Sequence, residues 1–217
     1  MAQNESRRIS RRRRLLSATL LGLAFAGRAE ADAVPPSRQP GPPHTRLIVS
    51  LGGAWNTTNL LNGATEPGRG TLAVQLGWRR TLAERPGFLL EWALEVVPLE
   101  PEFGTRLTEP ARLSDRETAY GAGLDPLGVE ARFGRGRLRP YAALRTGFRV
   151  FGRPVPTARG TRFNFVLDAG AGLELRVREG RWAFLGVELH HLSNGGLGDA
   201  NPSLNLLVLR GGLAVRR

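Results

Sequence analysis

Hydrophobic and polar residues alternate with a period of two along most of the chain, in runs of roughly ten residues separated by turn signals. No convincing amphipathic helix interrupts them. The clearest run spans Arg162 to Val177. There Phe163, Phe165, Leu167, Ala169, Ala171, Leu173 and Leu175 share one face of an extended strand, opposite Arg162, Asn164, Asp168, Glu174 and Arg176. The same pattern groups Leu72, Val74, Leu76 and Trp78 in an earlier run, and Phe88, Leu90, Trp92, Leu94 and Val96 in the next. Ala142, Leu144, Phe148 and Val150 oppose Tyr141, Arg145 and Arg149 in another. Less regular runs at Arg46–Trp55 and Leu127–Phe133, with two more at Arg181–Ser193 and Ser203–Val215, bring the predicted strands to eight.

Eight amphipathic strands fit two all-β architectures. A soluble barrel or sandwich turns the apolar face inward, whereas an outer-membrane barrel turns it towards lipid. The polar faces carry Glu91, Glu95, Glu130, Arg132, Arg145, Arg149, Asp168, Glu174, Glu188 and Arg210 among Gly and Ala. Opposite charges set between small residues suit the cramped interior of an eight-stranded barrel, although a solvated surface would hold the same residues. Long connections at Asn56–Arg69, Glu100–Thr118 and Gly152–Thr161 alternate with short ones, as outer loops and periplasmic turns do. The expectation is an eight-stranded antiparallel outer-membrane β-barrel over residues 46–217. Ala214-Val215-Arg216-Arg217 at its end lacks the terminal aromatic residue common in such barrels.

The formal charge of +12 comes entirely from arginine, which invites a nucleic-acid reading that its placement removes. Arg7 to Arg14 crowd ahead of an apolar run from Leu15 to Gly27, followed by Ala29-Glu30-Ala31 and Ala31-Asp32-Ala33. That order predicts a secretory signal peptide over residues 1–33, its apolar run shorter than the roughly 20 residues of a spanning helix. A Pro-rich leader over residues 34–45 follows, so no nucleic-acid partner is expected. Cysteine is absent, and of three histidines His44 sits in the leader, leaving only the adjacent His190 and His191. No thiolate metal site is possible without cysteine, and a three-histidine centre is not expected. No metal or cofactor is expected. Trp55, Trp78, Trp92 and Trp182 suit interfacial belts or ordinary packing equally.

The candidate chemistry lies at the end of the Arg181–Ser193 run. His191 and Ser193 stand two residues apart and so project from one strand face, as a general base and its nucleophile must. They continue the series Ala183, Leu185, Val187 and Leu189, which places them on the lipid side, with Glu188 and His190 in the lumen. Asn205 has the parity of Leu207, Leu209 and Leu213, so a hairpin of the last two strands brings it to the same outer face. Polar groups against hydrocarbon are costly unless satisfied, which marks them as functional. With both ends of the barrel in the periplasm, the group stands near the outer leaflet.

His191-Leu192-Ser193-Asn194-Gly195-Gly196-Leu197, followed by Asn201-Pro202-Ser203-Leu204-Asn205, resembles the signature of the PagL-type lipid A 3-O-deacylases. The resemblance implies an outer-membrane barrel that hydrolyses the ester-linked 3-hydroxyacyl chain at position 3 of lipid A, in lipopolysaccharide, without a metal. It implies Ser193 as nucleophile, His191 as general base, Asn194 and the Gly196 N–H as oxyanion donors, and Asn201 as support for the loop. The position that carries a glutamate in the best-known members is Asn205 here. Its carbonyl can orient an imidazole but adds no charge, and Asp199 is the nearest acid, expected in the loop. Arg106, Arg112, Arg116, Arg153 and Arg159 are candidates to pair with lipid A phosphates. The alternatives are a non-enzymatic structural or adhesive barrel, in which Ser-Asn-Gly-Gly is simply a turn, and a soluble exported lipid-binding barrel.

Overall fold

A computed structural model of the chain describes residues 44–55, 68–105, 107–109, 112–113 and 116–216. The predicted signal peptide and most of the leader lie outside them. Eight long strands, β1 (Thr45–Trp55), β2 (Gly70–Arg85), β3 (Phe88–Gly104), β6 (Glu117–Phe133), β7 (Leu138–Val155), β8 (Thr161–Arg178), β9 (Arg181–Ser193) and β10 (Ser203–Arg216), form the sheet. A two-stranded hairpin, β4 (Leu107–Glu109) and β5 (Arg112–Leu113), sits within the connection from β3 to β6. Each long strand pairs antiparallel with its sequence neighbour, and β1 closes on β10 through Arg46↔Arg216 to Gly53↔Leu209. Closure leaves the main sheet without edges.

Strand β1 starts inside the segment expected as leader, because the Thr81 N–H and hydroxyl both donate to His44 O at 3.1 Å. The strands of the third connection also run further than expected. Bulges between Val97 and Glu100 in β3, and between Leu124 and Leu127 in β6, reverse which parity points inward. Before the first, Glu91, Ala93, Glu95 and Val97 are buried, and after it Glu100 and Glu102 are. Pro98 and Pro126 sit at these irregularities, where a missing N–H costs no ladder bond.

The barrel is apolar outside and charged within. Val49 and Leu51 (each 58% exposed), Leu185 (57%), Leu209 (56%) and Leu213 (61%) stand outward, while Arg79, Glu95, Arg145 and Arg210 are at most 2% exposed. A soluble barrel cannot present such a girdle to water, so the apolar band is a lipid-facing surface. Inside, Glu95 contacts Arg79, Arg145 and Arg210, and Glu188 contacts the last two. Arg132 joins Glu91, Glu130 and Glu174, and Arg149 joins Glu100 and Asp125. Glycines such as Gly128, where an added Cβ would lie 2.8 Å from Arg145 Cγ, make room for these long side chains. The guanidinium–carboxylate pairing satisfies charges that a dry interior could not otherwise hold.

Above this network, near the ends of the long loops, Phe151, Val155, Val166, Leu192, Leu204 and Leu206 pack into an apolar plug. A gap of about 10 Å³ among Glu100, Asp168, Glu188 and His190 has room for one water at most. Trp182, a candidate for the interfacial belt, is instead interior, with the Arg46 guanidinium 4.8 Å from its ring centre. Trp78 and Trp92 do stand on the outside, edge to face at 5.5 Å. Among the described residues the lumen is filled by the apolar plug and the charged network.

Candidate active site

Burial along β9 alternates strictly through its second half: Gly186, Glu188, His190 and Leu192 point inward, and Leu185, Val187, His191 and Ser193 point outward. His191 and Ser193 therefore share the lipid-facing wall, about 7 Å apart along the strand at Cα. His190 turns into the lumen instead, where its Nδ1 lies 2.7 Å from Asp168 Oδ1 and its Nε2 3.5 Å from Glu100 Oε1.

The hairpin register completes the group. Asn205 is directly opposite His191, and Ser203 directly opposite Ser193. Asn205 Oδ1 lies 2.7 Å from His191 Nδ1. An amide oxygen only accepts, so Nδ1 carries the proton and the neutral ring keeps its lone pair on Nε2. That tautomer is the one a general base for a neighbouring hydroxyl requires. Asn205 is buried although its strand face looks outward, and its Nδ2 finds no hydrogen-bond partner among the described residues. The orienting carbonyl is thus held out of solvent.

On the other side, β8 sets Phe165 opposite Ser193 and Leu167 opposite His191. Phe165 packs edge to face on Phe163 at 5.2 Å, and Phe163 stacks on Phe148 at 5.6 Å. The hydroxyl that would attack an ester therefore stands at the end of an aromatic ladder exposed to the membrane. Neither Phe165 nor Ser203 was singled out by alternation alone, because period two assigns a face and not a neighbour across the sheet.

The loop from Asn194 to Pro202 caps the hairpin. Asn194 is buried, its Nδ2 donates to Ala200 O at 2.8 Å, and its Oδ1 accepts from Gly196 N at 3.0 Å. Its backbone O accepts from Leu197 N at 3.2 Å. Gly195 and Gly196 have φ of 62° and 82°, the left-handed region that glycine enters at no steric cost. A Cβ on Gly195 would also come within 2.9 Å of the Phe165 ring. Asn194 and the Gly196 N–H are consequently bonded to the loop and to each other. An oxyanion role for either requires the turn to release one of those bonds. Asn201 stands exposed, and its side chain makes no hydrogen bond to another described residue; the loop support expected of it comes from Asn194. Asp199 is exposed in the same loop, and the partner of His191 Nδ1 is Asn205.

Of the loop arginines, Arg106 lies outside the described residues and Arg112 falls in β5. Arg116 and Arg159 are exposed, and Arg153 pairs with Glu117 at 3.0 Å.

Comparison with known proteins adds independent support. The family profile described as lipid A 3-O-deacylase (PagL) matches residues 68–214, a span that contains every site residue named above. No curated protein matches the chain by sequence. Among solved structures, that of the outer membrane enzyme PagL superposes with a TM-score of 0.54 at 16% identity, covering 77% of this chain and 97% of that one. The outer membrane protein OprG from Pseudomonas aeruginosa gives 0.45 at 14% identity, covering 80% and 96%, respectively. The profile covers most of the chain and the barrel agrees with it: the chain belongs to the PagL family of lipid A 3-O-deacylases, as an eight-stranded outer-membrane barrel.

Proposed function

We propose that this barrel is a serine esterase of the outer leaflet, which removes the 3-O-linked 3-hydroxyacyl chain of lipid A with Ser193 as nucleophile and His191 as base. The observation that carries the reading is the 2.7 Å contact of His191 Nδ1 with Asn205 Oδ1, on the same outer face as Ser193. In this mechanism Nε2 takes the Ser193 proton as Oγ attacks the ester carbonyl carbon, and the tetrahedral oxyanion collapses to an acyl-serine. The His191 proton passes to the departing sugar hydroxyl. Water, activated by the same nitrogen, then frees the 3-hydroxy acid and restores Ser193.

The setting fits an amphiphile that cannot leave its leaflet. Lipid A reaches the outer wall laterally, its acyl chain lying across Phe165 and its cross-strand partner Phe148, level with Ser193, and its phosphates near Arg116 and Arg159. An oxyanion formed at Ser193 would recruit the Asn194 amide or the Gly196 N–H as the turn gives up one of their present bonds, to Ala200 O or to Asn194 Oδ1. Export of the chain with removal of residues 1–33 is part of the same proposal.

The barrel reconstituted with lipid A tests this directly by mass spectrometry of the lipid. The wild type removes one ester-linked hydroxyacyl chain, and Ser193→Ala and His191→Ala each lower the rate by about 1,000-fold or more. Undiminished release by Ser193→Ala, with loss in Ser203→Ala, would transfer the role to the serine across the hairpin.

A further inference from the structure

The end of the barrel opposite the site carries an arrangement that the deacylase chemistry does not use. Three tight turns connect strands there, and each bears two exposed arginines: Arg80 and Arg85 flank the turn of β2 and β3, Arg135 and Arg137 lie in that of β6 and β7, and Arg178 and Arg181 frame that of β8 and β9. Against them stand two exposed carboxylates, Glu84 and Glu179. Among the described residues none of the six arginines forms an ion pair. The interior acids are already engaged by interior arginines.

Two further observations say what this rim meets. Arg178 and Arg181 are cross-strand partners, a like-charge pairing that is unfavourable unless an anion lies between them. Immediately above the rim, on the outer face, lie Trp78 with Trp92 and Phe88 with Phe133, the latter pair 5.7 Å apart. Arg80 is directly opposite Trp92. Outward aromatic pairs mark the depth of lipid headgroups in a barrel, which puts the arginines at phosphate level rather than in open solvent. Guanidinium groups, whose planar forks hold phosphate oxygens in pairs, are suited to that position.

We infer that the rim binds the phosphates of anionic phospholipids in the leaflet that faces away from lipid A, anchoring the barrel at a fixed depth. The inference rests on the orientation in the proposed function, with the site at the outer leaflet, and not on the chemistry at Ser193. The test uses the whole barrel in detergent with equal phosphatidylglycerol and phosphatidylcholine, the retained lipids being counted by native mass spectrometry. The wild type retains phosphatidylglycerol over phosphatidylcholine by about fivefold or more, and raising the salt reduces the preference. Replacing all six arginines with glutamine abolishes it while lipid A deacylation continues. The milder pair Arg135→Gln with Arg137→Gln, confined to an exposed turn, lowers it partway and serves where the larger variant does not fold. Equal retention of both lipids by the wild type, or an unchanged preference in both variants, would overturn the inference. So would a preference for added lipid A that the rim variants lose in place of phosphatidylglycerol.

Discussion

Asn205 is the residue at which this site is weakest. It meets His191 Nδ1 through one neutral hydrogen bond of 2.7 Å, but an amide would give no charge to the imidazolium that the proposed transfer of the Ser193 proton creates. A carboxylate would supply both, and because Asn205 Nδ2 has no partner among the described residues, replacing it sacrifices no hydrogen bond. Asn205→Asp is therefore expected to raise kcat by about tenfold or more, equivalent to about 1.4 kcal/mol of barrier, whereas Asn205→Leu lowers it. Turnover of reconstituted lipid A checks both, and a slower Asp variant would contradict an orienting role for this position. The place of Asn205 was legible in the sequence, since period-two parity is enough to set it with His191 and Ser193. Its partner atom was not, nor was the neighbour of Ser193, because Phe165 and Ser203 are defined by register between strands. Trp182 escaped for a different reason. It has interior parity on β9, yet a large aromatic ring in a membrane barrel suits an outer belt as readily as a cation-lined interior.

Among the elements, the loop from Asn194 to Pro202 has the largest part in shaping the site. Its form depends on a single buried side chain bonded to Ala200 O and Gly196 N, and on two glycines in left-handed conformations. Asn194→Ala leaves both groups unpaired and lets the N–H donors beside Ser193 wander. It is expected to lower kcat by about 100-fold with heat-modifiable gel migration unchanged, because the barrel ladder does not involve it. Loss of that migration would instead make Asn194 a folding residue. The sequence marks the turn through its Asn-Gly-Gly run, but it assigned loop support to Asn201. Nothing in a linear pattern tells which of two asparagines folds back under its own loop. The bulges of β3 and β6 hid strand length in the same way, since each reverses the inward parity and ends the periodicity before the strand itself ends.

At the scale of the molecule, an apolar exterior over an ion-paired interior makes the barrel both stable and closed. Glu95, fully buried, is shared by Arg79, Arg145 and Arg210, so Glu95→Gln leaves three guanidinium groups short of an anion. Breaking such a buried set costs about 3–5 kcal/mol, measurable as a lower denaturant midpoint for the barrel folded in vesicles, and an unchanged midpoint would mean the network is not needed for stability. In the proposed function, the same filling confines catalysis to the outer wall. Labelling with a long-chain alkyl fluorophosphonate, followed by peptide mass mapping, tests that claim most directly. The account predicts one phosphonyl adduct, on the peptide bearing Ser193, with deacylation of lipid A lost in proportion to labelling and with lipid A protecting the site. Full activity after complete modification of Ser193, or inactivation with the adduct located elsewhere, would contradict it.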